Sequence, residues 1–173
     1  LNWQDPSKYQ FYLMKQDLLS SNSYYRIITS IFTHADIAHF LSNSFLLFIF
    51  GLLLHNYYSF TIFPFLSLLL GGLANIITIQ LYNDPQIKLL GASSMVYSMI
   101  AMWLIWYIRY EKKKELKIKL MRVFGFILII LVPTKFSAST SYLGHFVGFI
   151  LGIVASFSFL FITDHKVKEN DFI

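Results

Sequence analysis

Long apolar runs separated by short polar breaks fill most of this chain, and that alternation predicts its architecture. The runs cover about 37–58, 60–82, 92–107, 118–132 and 142–162, lengths close to what a helix needs to cross a hydrocarbon layer of about 30 Å. They predict an all-α, polytopic membrane helical bundle with five transmembrane helices. The breaks fall where turn chemistry falls: Asn83-Asp84-Pro85 closes the second run, Gly91 opens the third, and Pro133 stops the fourth and shortest. Pro64 lies in the first turns of the second run, where a missing N–H is tolerated. Residues 1–36 hold no stretch long enough to span. Their Pro6, charges and scattered aromatics read as an interfacial arm and loop, with a short amphipathic stretch over 24–33. The chain as a whole, 1–173, reads as a single membrane domain.

Composition agrees with a lipid solvent. Hydrophobic residues make up 56% of the 173, charged residues only 13%, and mean hydropathy is +0.58, whereas soluble domains sit near ~45–50% apolar. With no cysteine, there is no disulfide framework, no thiolate chemistry and no Cys-ligated metal. The net charge of +5 raises nucleic acid as a partner, but its distribution argues for none. Seven of the fourteen basic residues lie between Arg109 and Arg122, on one inter-helix loop, where they read as a topology signal. If that loop is cytoplasmic, the starts of the first, third and fifth spans share the opposite face. His39, Asn43, Ser93 and His145 are thereby brought to one side of the membrane. No basic segment followed by an apolar core opens the chain, so no signal peptide is expected. Its first residue, Leu1, reads as the mark of a piece cut from something longer.

Chemistry concentrates at two of those starts. Gly91-Ala-Ser93-Ser94-Met-Val-Tyr97 places a small-residue turn and a serine at the mouth of the third span, and His145 opens the fifth, followed by Gly148 and Gly152. A serine and a histidine are the parts of a nucleophile and its base. The ordinary reading of a serine in a membrane helix is packing or a bond to its own backbone, while an ionisable histidine at membrane depth is by default functional. Gly148 and Gly152 are spaced for close helix approach, and Ser94, Ser98 and Ala101 form a small-residue stripe able to receive them. His39 and Asn43, four apart, share a helical face. His34 and His39 do not have ligand spacing and no His-Glu-x-x-His occurs, so no metal is expected. Paired intramembrane aspartates are absent, which disfavours an aspartyl mechanism, and the spans carry no charges of the kind a transporter uses.

Taken together, Tyr25-Arg26, His34-x4-His39-x3-Asn43, Gly91-x-Ser93 with Tyr97, and His145-x2-Gly148-x3-Gly152 resemble the rhomboid intramembrane serine proteases, from about residue 11 to the end. The resemblance implies a Ser93–His145 dyad without a cofactor and an oxyanion hole of His39, Asn43 and the Ser93 N–H. Tyr97 would stack on the imidazole, and His34 and Arg26 would hold the loop before the first span. It also implies transmembrane protein substrates, a multi-pass place in the cell membrane, and a site opening to the extracytoplasmic side. The alternative is a catalytically inactive rhomboid-like protein that binds membrane helices. Three departures stand out: Ser94 replaces a second glycine, His55 replaces a glutamate, and the first family helix is expected to be missing from this chain.

Overall fold

The computed structural model describes residues 6–20, 22–131 and 140–163. Its centre is α5, Ser93–Tyr110. The residues 94–96 and 98–102 are all buried, a run longer than one turn, so this helix is enclosed on every side rather than exposed along one stripe. Around it pack α3 (Ile37–Tyr58), α4 (Ser67–Leu81), α6 (Leu116–Leu131) and α7 (Tyr142–Thr163). Their outer faces are apolar: Leu41, Phe45, Phe48 and Leu52 run down α3, and Phe146, Ile150, Val154 and Phe157 down α7. Both stripes recur at three- and four-residue intervals, the helical period, and a large apolar surface of that kind needs a nonpolar solvent.

Among the described residues three segments are long and apolar enough to cross a membrane, Ile37–His55, Ile62–Leu81 and Tyr142–Leu160. At the expected third and fourth spans stand the helices α5, 18 residues, and α6, 16 residues, which are not among those three. The second span differs from the single helix expected over 60–82. It opens with a 3-10 turn, Ser59–Thr61, and a π-type segment, Ile62–Leu66, before α4 begins. Phe63 has φ −124° and ψ 123°, because the ring of Pro64 excludes helical dihedrals from the residue before it. The Phe63 ring consequently lies on Gly51 of α3, where a Cβ would stand 2.9 Å from it. Pro133, the expected stop of the fourth span, and the lysines of the tail lie outside the described residues.

The arm is more ordered than its sequence pattern suggests. After a 3-10 turn, Pro6–Phe11, comes a strand β1, Leu13–Met14, which pairs antiparallel with β2, Lys88–Leu89, in the loop ahead of α5. Then follow α1, Lys15–Ser20, and α2, Arg26–Phe32. Leu13, Leu18, Ile79 and Leu89 form a second small core there, separate from the large one around α5. Arg26 ties the arm together by pairing with Asp17 and donating to the Tyr12 carbonyl. Lys15 Nζ donates to the Gln80 and Tyr82 carbonyls at 3.2 and 3.1 Å, closing the C-terminus of α4.

Candidate active site

Ser93 is the first residue of α5 and follows a tight turn. Gly91 has φ +97°, a left-handed conformation that costs glycine little and other residues much. The turn is tied down from the arm side, since Gly91 N donates to the Ser30 carbonyl at 2.8 Å. Ser30 is itself held by α4. Asn75 Nδ2 donates to Ser30 Oγ and to the Ile27 carbonyl, each at 3.2 Å.

Glycine at 91 also meets a steric demand. A Cβ there would stand 2.7 Å from His39 Cε1, 2.8 Å from His39 Nε2 and 3.2 Å from Asn43 Nδ2. Two polar side chains of α3 are therefore seated directly on the turn that presents Ser93. Asn43 is buried, and among the described residues its Nδ2 has no hydrogen-bond partner. The N-terminus of α5 has no side-chain cap at Ala92, so orphan amides and the positive end of the helix dipole face the same place.

His145 arrives from α7. Its ring stacks on Tyr97, centroids 4.2 Å apart and planes 12° from parallel, while Tyr142 meets it edge-on at 6.1 Å. Tyr97 is anchored in turn by its hydroxyl, which donates to the Ile130 carbonyl of α6 at 2.8 Å. The stack is possible because α5 and α7 touch backbone to backbone. A Cβ on Gly148 would overlap the carbonyl oxygen of Ser94, and one on Gly152 would overlap that of Ser98 and stand 2.9 Å from Ala101 Cβ. Ser94, Ser98 and Ala101 are the small-residue stripe described from the sequence.

His34 lies just ahead of α3 rather than on it, so helical spacing does not govern its place. Its ring meets His39 edge to face at 5.1 Å and Phe40 at 5.4 Å. Burial, and next the neighbouring His39, push its pKa below the usual histidine value. Arg26 stands away from the turn, in the arm. His55 packs its ring edge-on against Phe60 at 5.1 Å. Four polar residues that hold the site, Ser30, Asn75, Tyr82 and Ser141, carried no sequence signal, because a lone serine or asparagine in an apolar run reads as packing. Ser141 Oγ accepts from Gly144 N at 3.1 Å and meets the Tyr82 hydroxyl at 3.2 Å, capping α7 one turn before His145. Among the described residues no group of three His, Cys, Asp or Glu could hold a metal ion.

A family model, the Rhomboid domain, matches residues 21–161. This chain belongs to the rhomboid family. A search of curated proteins returns no match. Rhomboid membership and the three apolar helices together make it a polytopic membrane protein. The match takes in α2 through most of α7 and hence every residue of the site described above, whereas β1 and α1 of the arm fall outside it.

Proposed function

We propose that this rhomboid is an intramembrane serine endopeptidase that cleaves membrane-spanning helices near the outer face, with Ser93 as nucleophile and His145 as base. What supports this reading is the occurrence of three features along the Gly91 turn and the start of α5. They are the uncapped start of α5 at Ser93, the His39 and Asn43 side chains on Gly91, and the Tyr97–His145 stack.

Each feature has a step to perform. His145 takes the Ser93 hydroxyl proton as Oγ bonds to the substrate carbonyl carbon, and the carbonyl oxygen gains negative charge. That oxygen is received by the His39 side chain, Asn43 Nδ2 and the Ser93 N–H. A buried donor without a partner costs about 1–3 kcal/mol, and an incoming oxyanion at Asn43 relieves that cost in the transition state, where relief accelerates the reaction. The C–N bond then breaks, with the His145 proton passing to the leaving amine. Water, deprotonated by the same histidine, releases the acyl group from Ser93. Packing on Tyr97, rather than a third triad member, orients the imidazole.

A peptide bond inside a regular helix is not presented to a nucleophile, so the substrate class is a membrane helix able to unwind locally near the site. The expected basic loop over 109–122 is shorter in the structure: Lys112, Lys113 and Lys114 lie between α5 and α6, while Arg109 lies in the last turn of α5 and Lys117, Lys119 and Arg122 in the opening turns of α6. This cluster supports a cytoplasmic position for that end of the two helices. Ser93 and His145, at the other end of α5 and α7, then open to the extracytoplasmic side of the cell membrane.

The test is covalent labelling of the purified chain with a fluorophosphonate, together with cleavage of a transmembrane substrate. Labelling is expected in the wild type and absent from Ser93→Ala and His145→Ala. Labelling that persists in Ser93→Ala would sink the assignment. A folded wild type that neither labels nor cleaves, yet retains membrane helices, would make the chain an inactive rhomboid-like binder.

A further inference from the structure

Ser94 and Gly144 face each other at the mouth of the α5–α7 contact, and the reaction proposed above uses neither. Ser94 is only 7% exposed. On one side its carbonyl oxygen is pressed against Gly148, and on the other its Oγ stands 3.0 Å from where a Cβ on Gly144 would sit. Gly144 immediately precedes His145. Its first-turn neighbours are already fixed from α4, through Tyr82, Ser141 and the Gly144 N–H. The first turn of α7 is thus held from the end of α4 by hydrogen bonds, and from α5 by the Tyr97–His145 stack and the Ser94 hydroxymethyl group.

We infer that Ser94 and Gly144 are a size-matched pair of positioning residues: a hydroxymethyl group on α5 fitted to a bare Cα on α7, setting the lateral place of His145 against Ser93. The inference rests on the protease reading. Its physical basis is that a close-packed contact answers added volume by moving the element that is freer to move. Here α5 is enclosed on all sides, so α7 moves, and His145 with it. Glycine at 94 would leave the first turn of α7 only the Tyr97 stack on its α5 side; alanine at 144 would push it away.

A double-mutant cycle on the full chain tests this, reading the fluorophosphonate labelling rate, kcat and KM on a transmembrane substrate, and the thermal midpoint. Gly144→Ala is expected to lower labelling and kcat about tenfold with KM little changed, since misplacing a catalytic group by up to about 1 Å costs as much as a hundredfold. Ser94→Ala removes the oxygen that the new methyl would meet. Alone it is expected to slow labelling about threefold, the loss of one side of the fit, and combined with Gly144→Ala it should restore most of the lost rate, the non-additivity of residues in direct contact. A double variant no faster than Gly144→Ala overturns the pairing, because the methyl would then be pressing on Ser141 Oγ, also 3.0 Å away. Loss of labelling in Ser94→Ala to the level of Ser93→Ala overturns it too. If Gly144→Ala does not accumulate as folded protein, Ser94→Thr adds a methyl on the α5 side of the same gap. It must then slow labelling; an unchanged rate refutes the pairing. A wild type that does not label removes the protease reading and this inference together, whereas a labelled wild type without rescue removes the inference alone.

Discussion

Substituting alanine at Gly148 isolates the contact on which the site depends. The new methyl would overlap the Ser94 carbonyl oxygen and stand 3.0 and 3.1 Å from the Ser94 carbonyl carbon and Cα. All three atoms belong to the backbone of the most enclosed helix, so no side chain can swing aside and α7 must back away. Overpacking of a filled core costs about 1–3 kcal/mol, and a backbone-on-backbone clash belongs at the top of that range. Alanine regains about 1 kcal/mol over glycine in a helix interior, leaving a net loss of about 2 kcal/mol. Gly125 in α6 is the control, because a Cβ there meets nothing within 4 Å and only the propensity gain remains. The two alanines should therefore differ by about 3 kcal/mol in unfolding free energy, measured by titrating the detergent-solubilised chain with denaturant. The labelling rate at Ser93 should fall in Gly148→Ala and hold in Gly125→Ala. Equal stability and equal labelling in the two variants would refute the tight crossing of α5 and α7.

Two further outcomes follow from polar groups near the turn. Asn75→Leu removes the α4 donor to the Ser30 hydroxyl and the Ile27 carbonyl, which keep the 3.4 Å bond from Ser30 Oγ to Ile27 O; a lost hydrogen bond costs about 0.5–1.5 kcal/mol net, so the thermal midpoint should drop and labelling slow, and a variant as stable and as fast as wild type would contradict the tether. His34 is held below its usual pKa by burial and then by His39, so the unfolded chain binds a proton at this residue more readily than the native one does. Its contribution to stability is then fully present above about pH 6.5, the unfolded value, and is lost as pH falls below it toward the native pKa. Midpoints measured from pH 7.5 to 5 should fall in the wild type and fall less in His34→Gln, and parallel curves for the two would show that His34 is not the group responsible.

The transmembrane helices were legible because burial in lipid and in protein both select long apolar runs, and α3 begins and ends at Ile37 and Tyr58 as its run does. Gly148 and Gly152 against Ser94, Ser98 and Ala101 were legible as well, since close approach admits few residue types. The arm was not. A two-residue strand has no periodicity to detect, and its partner, Lys88–Leu89, lies beyond four intervening α-helices. The break at Phe63 has a different origin: Pro64 is tolerated in an early turn for its own missing N–H, yet it disfavours helical dihedrals at the residue before it. Helical spacing does not relate His34 to His39, because α3 starts between them and the chain path sets their rings edge to face.

The two buried clusters described above share no residue, and they differ greatly in size. Segments with few buried apolar contacts open at lower free energy than a large core does, so the cap formed by β1, β2 and α1 is the softer foldon. Yet that cap carries the loop leading into Gly91, whose amide is bonded to α2. Melting of the small cluster of Leu13, Leu18, Ile79 and Leu89 should consequently loosen the turn, and stop whatever chemistry occurs there, before the larger core around α5 gives way.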